Sequence, residues 1–338
     1  MRKFIMILSC VGLAVTLEAA DVYQHVGDIQ IGGDGGFDYV SVDPAAHRLY
    51  VSHATKIVVA DTQTGKVVGE IANLPGVHGI AIAADLGRGF TSDGRANTST
   101  IIDLRTLQPI ARVPTGANPD SIRYSPSRKE VWAFNHTGKS VTVFGAQDGK
   151  VIATIPLTGE LEEAVEDPAA NRMYVNIEDK GVIGVMDTIT HSVVATWPIT
   201  DCEGPTAMAF DNKNHLILSA CDGHMAVVDS RTGKVVTSFP IGEEVDGNGF
   251  DAATGYVFAA SRAGTLTIAH EDSPGKFTIV QTLKTQPSGK TMTVDPVNHR
   301  VYIPAATTTP GPNGRAVITP NTMKVLVVAP VATTKGTK

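Results

Sequence analysis

One pattern recurs seven times along this chain, and its spacing constrains the fold more than any other feature. An apolar strand ends on an Asp or small residue, a short turn follows, and a second strand begins. This anchor falls at Asp43, Ala83, Ser125, Asp167, Asp211, Asp251 and Asp295, in steps of 40, 42, 42, 44, 40 and 44 residues. Ten residues beyond each anchor stand His53, Asp93, Asn135, Ile177, Cys221, Ser261 and Ala305, with no insertion or deletion between. A repeat of this length, carrying several short strands per unit, is the sequence signature of a β-propeller blade.

The first copy shows why each unit folds as a blade. Residues 39–42, 48–52, 56–60 and 66–71 read as four successive strands rich in β-branched side chains. Pro44 suits the first turn, because its fixed φ and missing N–H disfavour a central ladder position. In the turn that starts at Asp61, the carboxylate can accept from a turn amide and Gly65 supplies a positive φ. Related turns recur at 103–106, 148–150, 187–190, 229–234 and 272–276. No helical period of useful length follows the first 20 residues. The expected class is therefore all-β: a seven-bladed β-propeller of four-stranded antiparallel blades, one domain over 21–330 with a tail at 331–338.

The last copy departs from the pattern. After Tyr302 the strand pattern returns only at 324–328, and residues 305–323 form an insertion rich in Pro, Gly and Thr. Residues 22–31 read as an orphan fourth strand, expected to complete blade seven and latch the ring so that no edge stays unpaired. The alternative takes 315–318 as strand three and 324–328 as strand four.

Residues 1–20 lie outside the repeat. Arg2 and Lys3 precede an apolar run over 4–17, and Ala19-Ala20 offers small residues for cleavage, the layout of a signal peptide. A periplasmic or secreted location follows as an expectation. The apolar run is shorter than the ~20 residues a spanning helix needs, and no second run approaches that length, so no membrane span is expected. The formal net charge is −6, and removing Arg2, Lys3 and Glu18 makes it one unit more negative. Such a chain, without Lys/Arg clusters, is a poor partner for nucleic acid. Cys202 and Cys221 remain after processing. In an oxidising compartment an even pair suggests a disulfide; two free thiols are the other reading. A monomer is expected.

The repeated strands resemble the YVTN-type family of exported β-propellers. The stretches that carry the resemblance are Tyr50-Val51-Ser52-His53, Tyr174-Val175-Asn176-Ile177 and the strand and turn from Ile57 to Val68. Blades two and three depart from the pattern, with Phe90-Thr91-Ser92-Asp93 and Val131-Trp132-Ala133-Phe134-Asn135. The family is similar in shape to lactonases, streptogramin lyase and haem d1 domains, and it implies no single activity.

Chemistry is expected around the channel axis. Five residues before each anchor stand Asp38, His78, Asp120, Glu162, Thr206, Asp246 and Lys290. This row and the row ten residues after the anchors are expected to converge on one funnel mouth. The candidate ligand-binding residues are Asp38, His53, His78, Asp93, Asp120, Asn135, His136, Glu162, Glu163, Asn176, Arg262 and Lys290. As a rim of ordinary solvated loop residues the set has a bland explanation. As imidazoles beside carboxylates, His53, His78, Asp38 and Asp93 suit a divalent metal ion. Glu162 and Glu163 are sequence neighbours on a strand, so only one is expected to face the channel. No G-x-S-x-G, G-x-x-x-x-G-K-[ST], H-E-x-x-H or C-x-x-C-H signature occurs. Two functions stand against each other: a non-catalytic module presenting an acidic, His/Asp-rich central funnel to a small ligand, metal ion or protein, and a metal-assisted lactonase-like hydrolase or lyase with its site at the channel mouth.

Overall fold

The computed structural model describes residues 22–311 and 316–331; the expected signal peptide and residues 332–338 of the tail lie outside the described residues. Seven four-stranded antiparallel sheets form the ring. The innermost strands of blades one to seven are Phe37–Asp43, Val77–Ala83, Pro119–Ser125, Leu161–Asp167, Ala207–Asp211, Val245–Asp251 and Thr293–Val294. Among the described residues no helix is long and apolar enough to cross a membrane.

In the five blades whose anchor is Asp, its carboxylate caps the first turn. Asp167 Oδ1 accepts from the amides of Ala169 and Ala170, and Asp295 Oδ1 from those of Val297 and Asn298. Four residues past the anchor the backbone is left-handed in every blade, at His47, Gly87, Lys129, Asn171, His215, Gly255 and His299. The same device closes the outer hairpins, where Asp61 caps Gln63 and Thr64 before Gly65 at φ 68°. A carboxylate collecting turn amides, followed by one αL residue, fixes hairpin register at low cost.

Seven buried apolar clusters hold the ring, one between each pair of neighbouring blades. Trp132, Phe134 and Val143 of blade three pack on Leu161, Met173 and Val175 of blade four. Tyr302 and Val325 of blade seven pack on Val40, Leu49 and Val51 of blade one. Burial of such side chains stabilises by roughly 1.5–3 kcal/mol each. No blade has a complete core alone, so the wheel must close.

Closure follows the latch reading. Tyr23–Gln30 pairs antiparallel with Lys324–Pro330, which pairs with Val301–Ala305, so blade seven takes its outermost strand from the start of the described chain. The alternative with 315–318 as strand three does not occur. Residues 316–318 instead form a small hairpin with Thr308–Pro310 inside the insertion. The Cys202–Cys221 disulfide is formed, with its Cα atoms 5.3 Å apart.

Candidate functional site

The row five residues before the anchors builds a belt of polar side chains across the channel. His78 Nδ1 lies 2.7 Å from Asp38 Oδ2 and 3.2 Å from Asp120 Oδ1, and its Nε2 lies 3.2 Å from Asn118 Oδ1. Lys290 Nζ sits 2.9 Å from Asp38 Oδ1 and 3.2 Å from Asp246 Oδ2, and Arg262 donates to Asp246 at 2.5 Å. On the other side, His136 Nδ1 is 3.1 Å from Glu162 Oε1, and its Nε2 is 3.8 Å from Glu160 Oε2. Thr206 spends its hydroxyl on the Val245 carbonyl at 3.0 Å.

Protons in this belt are shared unequally. Burial would raise Asp38, but Lys290 and His78 hold it down to about 2. Burial works against charge on His78, yet Asp38 and Asp120 raise it to about 9. Burial and the neighbouring Asp38 charge push Asp120 up to about 6. Burial raises Glu162 to about 8 despite its His136 hydrogen bond, and that same bond is the main reason His136 rises to about 9. Lys290 stays charged, because Asp38 and Asp246 more than offset its burial. The inner belt is thus close to charge-balanced rather than simply acidic. The acidic excess lies beside it, in a recess of about 290 Å³ where Glu178 and Glu244 join the belt residues Glu162 and Asp246, with Thr206 and Arg262.

A bulge aims two consecutive side chains into the channel. The ladder register slips between Leu161 and Ala164, and at the equivalent place in blades one, two, three and six. Both members of the Glu162–Glu163 pair therefore reach the channel, contrary to strict alternation. Glu162 joins the mouth recess, while Glu163 lines the chamber beneath it and is bound by the Arg123 guanidinium and the Met208 amide. They do not form a dyad with each other, since each carboxyl has its own donors.

The row ten residues past the anchors does not reach the belt. His53 is 1 % exposed and lies beneath the glycine loop, where a Cβ on Gly33 would come within 2.7 Å of its Nε2. Burial holds its imidazole below the usual value. That loop is no free crossing: Gly33 N–H donates to Asn321 Oδ1, and its carbonyl accepts from the Asn321 amide at 2.8 Å. Asp93 is fully buried and accepts hydroxyl hydrogen bonds from Thr91, Thr98 and Thr100. Asn135 donates to Ser140 and Thr142, and Asn176 bridges the Ala207 carbonyl and Ser219. The expected ligand set of His53, His78, Asp38 and Asp93 is thus not assembled. Among the described residues, Asp38, His78 and Asp120 do bring ligand atoms within 4.8 Å of one another.

Sequence reasoning placed Asp246 in the same row as Asp38 but left it out of the candidate ligand-binding residues. It also passed over Tyr39, Ser121, Arg123 and Asn248, whose orientation follows from the bulges.

The chain matches no protein-family model and no curated protein. Among solved structures, a chain of hydrazine synthase from Kuenenia stuttgartiensis is similar, with a TM-score of 0.70 at 14 % identity over 87 % of this chain and 95 % of that one. This likeness shows the propeller fold.

Proposed function

We propose that this chain is an exported β-propeller binding module of the YVTN type, which takes a small organic cation at the acidic side of its channel mouth. The observation that carries the reading is the recess in which Glu162, Glu178, Glu244 and Asp246 meet a single basic lining residue, Arg262. Glu160 and Glu178 also lie with His136 as a close group next to it. A cation entering there gains from the Glu178 and Glu244 carboxylates in a partly desolvated concavity, since Asp246 is held by Lys290 and Arg262 and Glu162 keeps its proton up to about 8. Export is supported by the layout of residues 1–20, and an oxidising compartment by the disulfide.

Titration calorimetry of the chain without residues 1–20 against spermidine and tetramethylammonium tests this. Binding is expected to weaken with salt, and about tenfold in Glu178→Gln or Glu244→Gln, by loss of a charge-assisted contact. Equal affinity for an uncharged analogue would defeat the reading.

A second reading, a metal-assisted hydrolase or lyase, draws on the Asp38–His78–Asp120 group. Asp38 is already occupied by Lys290, and both ring nitrogens of His78 face acceptors, the arrangement of an imidazolium rather than of a metal ligand. Elemental analysis of untagged protein decides it: a stoichiometric metal lost in His78→Ala would establish the metal site.

A further inference from the structure

Beneath the belt the channel holds a chamber of about 270 Å³. Its lining begins with the residues that directly follow the belt: Tyr39 after Asp38, Ser121 after Asp120, and Glu163 after Glu162. Two side-chain oxygens of lining residues, both closed off from solvent, have no protein hydrogen-bond partner among the described residues. They are Ser121 Oγ, in a residue 1 % exposed, and Asn248 Oδ1, in a residue 6 % exposed. The orientation of Asn248 is set from behind, since its amide nitrogen donates to the Leu218 carbonyl at 2.8 Å and so leaves the oxygen as the unspent group. The phenol of Tyr39 stays neutral, because burial and the surrounding carboxylates oppose its ionisation. Buried oxygens of this kind require donors from whatever fills the space.

The charges in the chamber cancel. Arg123 is held by Glu163 and donates through Nε to the Ala164 carbonyl at 2.6 Å. An ion entering would have to break that pair, whereas a neutral molecule would not. Ile122, Phe210 and Phe250 add apolar wall between the polar groups. At about 30 Å³ per water the volume holds roughly nine waters, which is also the bulk of one six-membered ring with its hydroxyls.

We propose that this chamber is a binding compartment for a neutral polyhydroxylated small molecule of the size of a monosaccharide or cyclitol. With small shifts of the wall that uncover the two oxygens, its hydroxyls donate to Asn248 Oδ1, exchange hydrogen bonds with Ser121 and Tyr39, and lay C–H faces on the apolar wall. The site is separate from the mouth recess, since Glu178 and Glu244 do not line it.

The test is titration calorimetry and thermal shift of the same protein with D-glucose, D-galactose, D-mannose and myo-inositol. At least one is expected to bind, and to bind about tenfold more weakly in Ser121→Ala and in Tyr39→Phe, each of which removes one neutral hydrogen bond. Ser121→Leu, which fills the chamber, is expected to abolish binding. Circular dichroism and melting of each variant keep loss of fold apart from loss of binding. No heat or shift with any of the four at millimolar concentration overturns the proposal, as does binding that survives Ser121→Leu. Because these probes carry no charge, their failure leaves the cation reading standing, and failure of spermidine leaves this one standing.

Discussion

Gln281, on the outermost strand of blade six, holds the backbone of Tyr23 as a neighbouring strand would. Its carboxamide oxygen accepts from the Tyr23 amide at 2.9 Å, and its nitrogen donates to the Tyr23 carbonyl at 2.8 Å. The oxygen also takes the Val22 amide at 3.0 Å. Tyr23 is buried, with its ring edge-on to Tyr256 and Phe258 at 5.6 and 5.0 Å. One side chain thus fastens the latch strand of blade seven to blade six.

Replacing that clasp should loosen closure. Gln281→Ala leaves buried backbone groups of Tyr23 unpaired and is expected to cost about 1–3 kcal/mol, read as a lower urea midpoint. Deleting residues 22–30 should lower the melting temperature further, since blade seven loses its outer strand. An unchanged midpoint in both proteins would show that the ring is closed by other contacts.

The proton-sharing belt sets a pH dependence with a definite sign. His78 ordinarily titrates near 6.5 and is raised to about 9, and Glu162 ordinarily titrates near 4.5 and is raised to about 8. Both groups hold protons in the folded state that the unfolded chain has released, so their contribution falls as pH rises. For His78 it is complete below 6.5 and lost on passing 9; for Glu162 the fall begins above 4.5. Asp38 acts oppositely at the acid end, where stability is lost as pH falls from 3.8 through about 2. Stability should therefore decline between pH 6.5 and 9, by up to ~1.4 kcal/mol per pH unit for each retained proton, and the melting temperature with it. His78→Gln should make the decline shallower, since Glu162 and His136 still titrate in this range. A wild-type melting temperature that is level over this range contradicts the assignment.

Asp93 is a structural carboxylate served by three threonine hydroxyls. Burial outweighs those hydroxyls and raises its carboxyl. Asp93→Asn, which keeps an acceptor and removes the charge, is expected to change stability by under about 1 kcal/mol. Asp93→Ala should cost about 1–3 kcal/mol by stranding buried hydroxyls. Chemical denaturation measures both, and a larger loss in the Asn variant would reveal a role for the negative charge itself.

The disulfide closes a loop with a sequence separation of 19 on the rim between blades four and five. In the chain-entropy description such a bridge stabilises by roughly 3 kcal/mol. Reduction, or Cys202→Ala with Cys221→Ala, should lower the melting temperature by several degrees. Equal melting in oxidised and reduced protein would show that the surrounding rim contacts already fix this loop.

The repeat by itself determined the blades and their number, whereas the latch strand and the half-cystine pair were each one of two readings, between which the structure chose. Blades and number follow from period, alternation and turn chemistry, which act locally and leave a mark at fixed spacing. The row holding Asp38, His78, Asp120, Glu162 and Lys290 was legible for the same reason, because equivalent positions in a closed wheel stand around one axis. Only the tertiary structure decided which polar side chains meet. His53, Asp93, Asn135 and Asn176 have the same residue types as the belt, yet glycine-loop cover, threonines or neighbouring carbonyls claim them. A bulge that turns Glu163 beside Glu162 is a one-residue slip of the ladder, and it produces no change in composition or period. Whether a carboxylate is spent on Arg123, Lys290 or a turn amide depends on ångström distances between blades, and no single repeat encodes them.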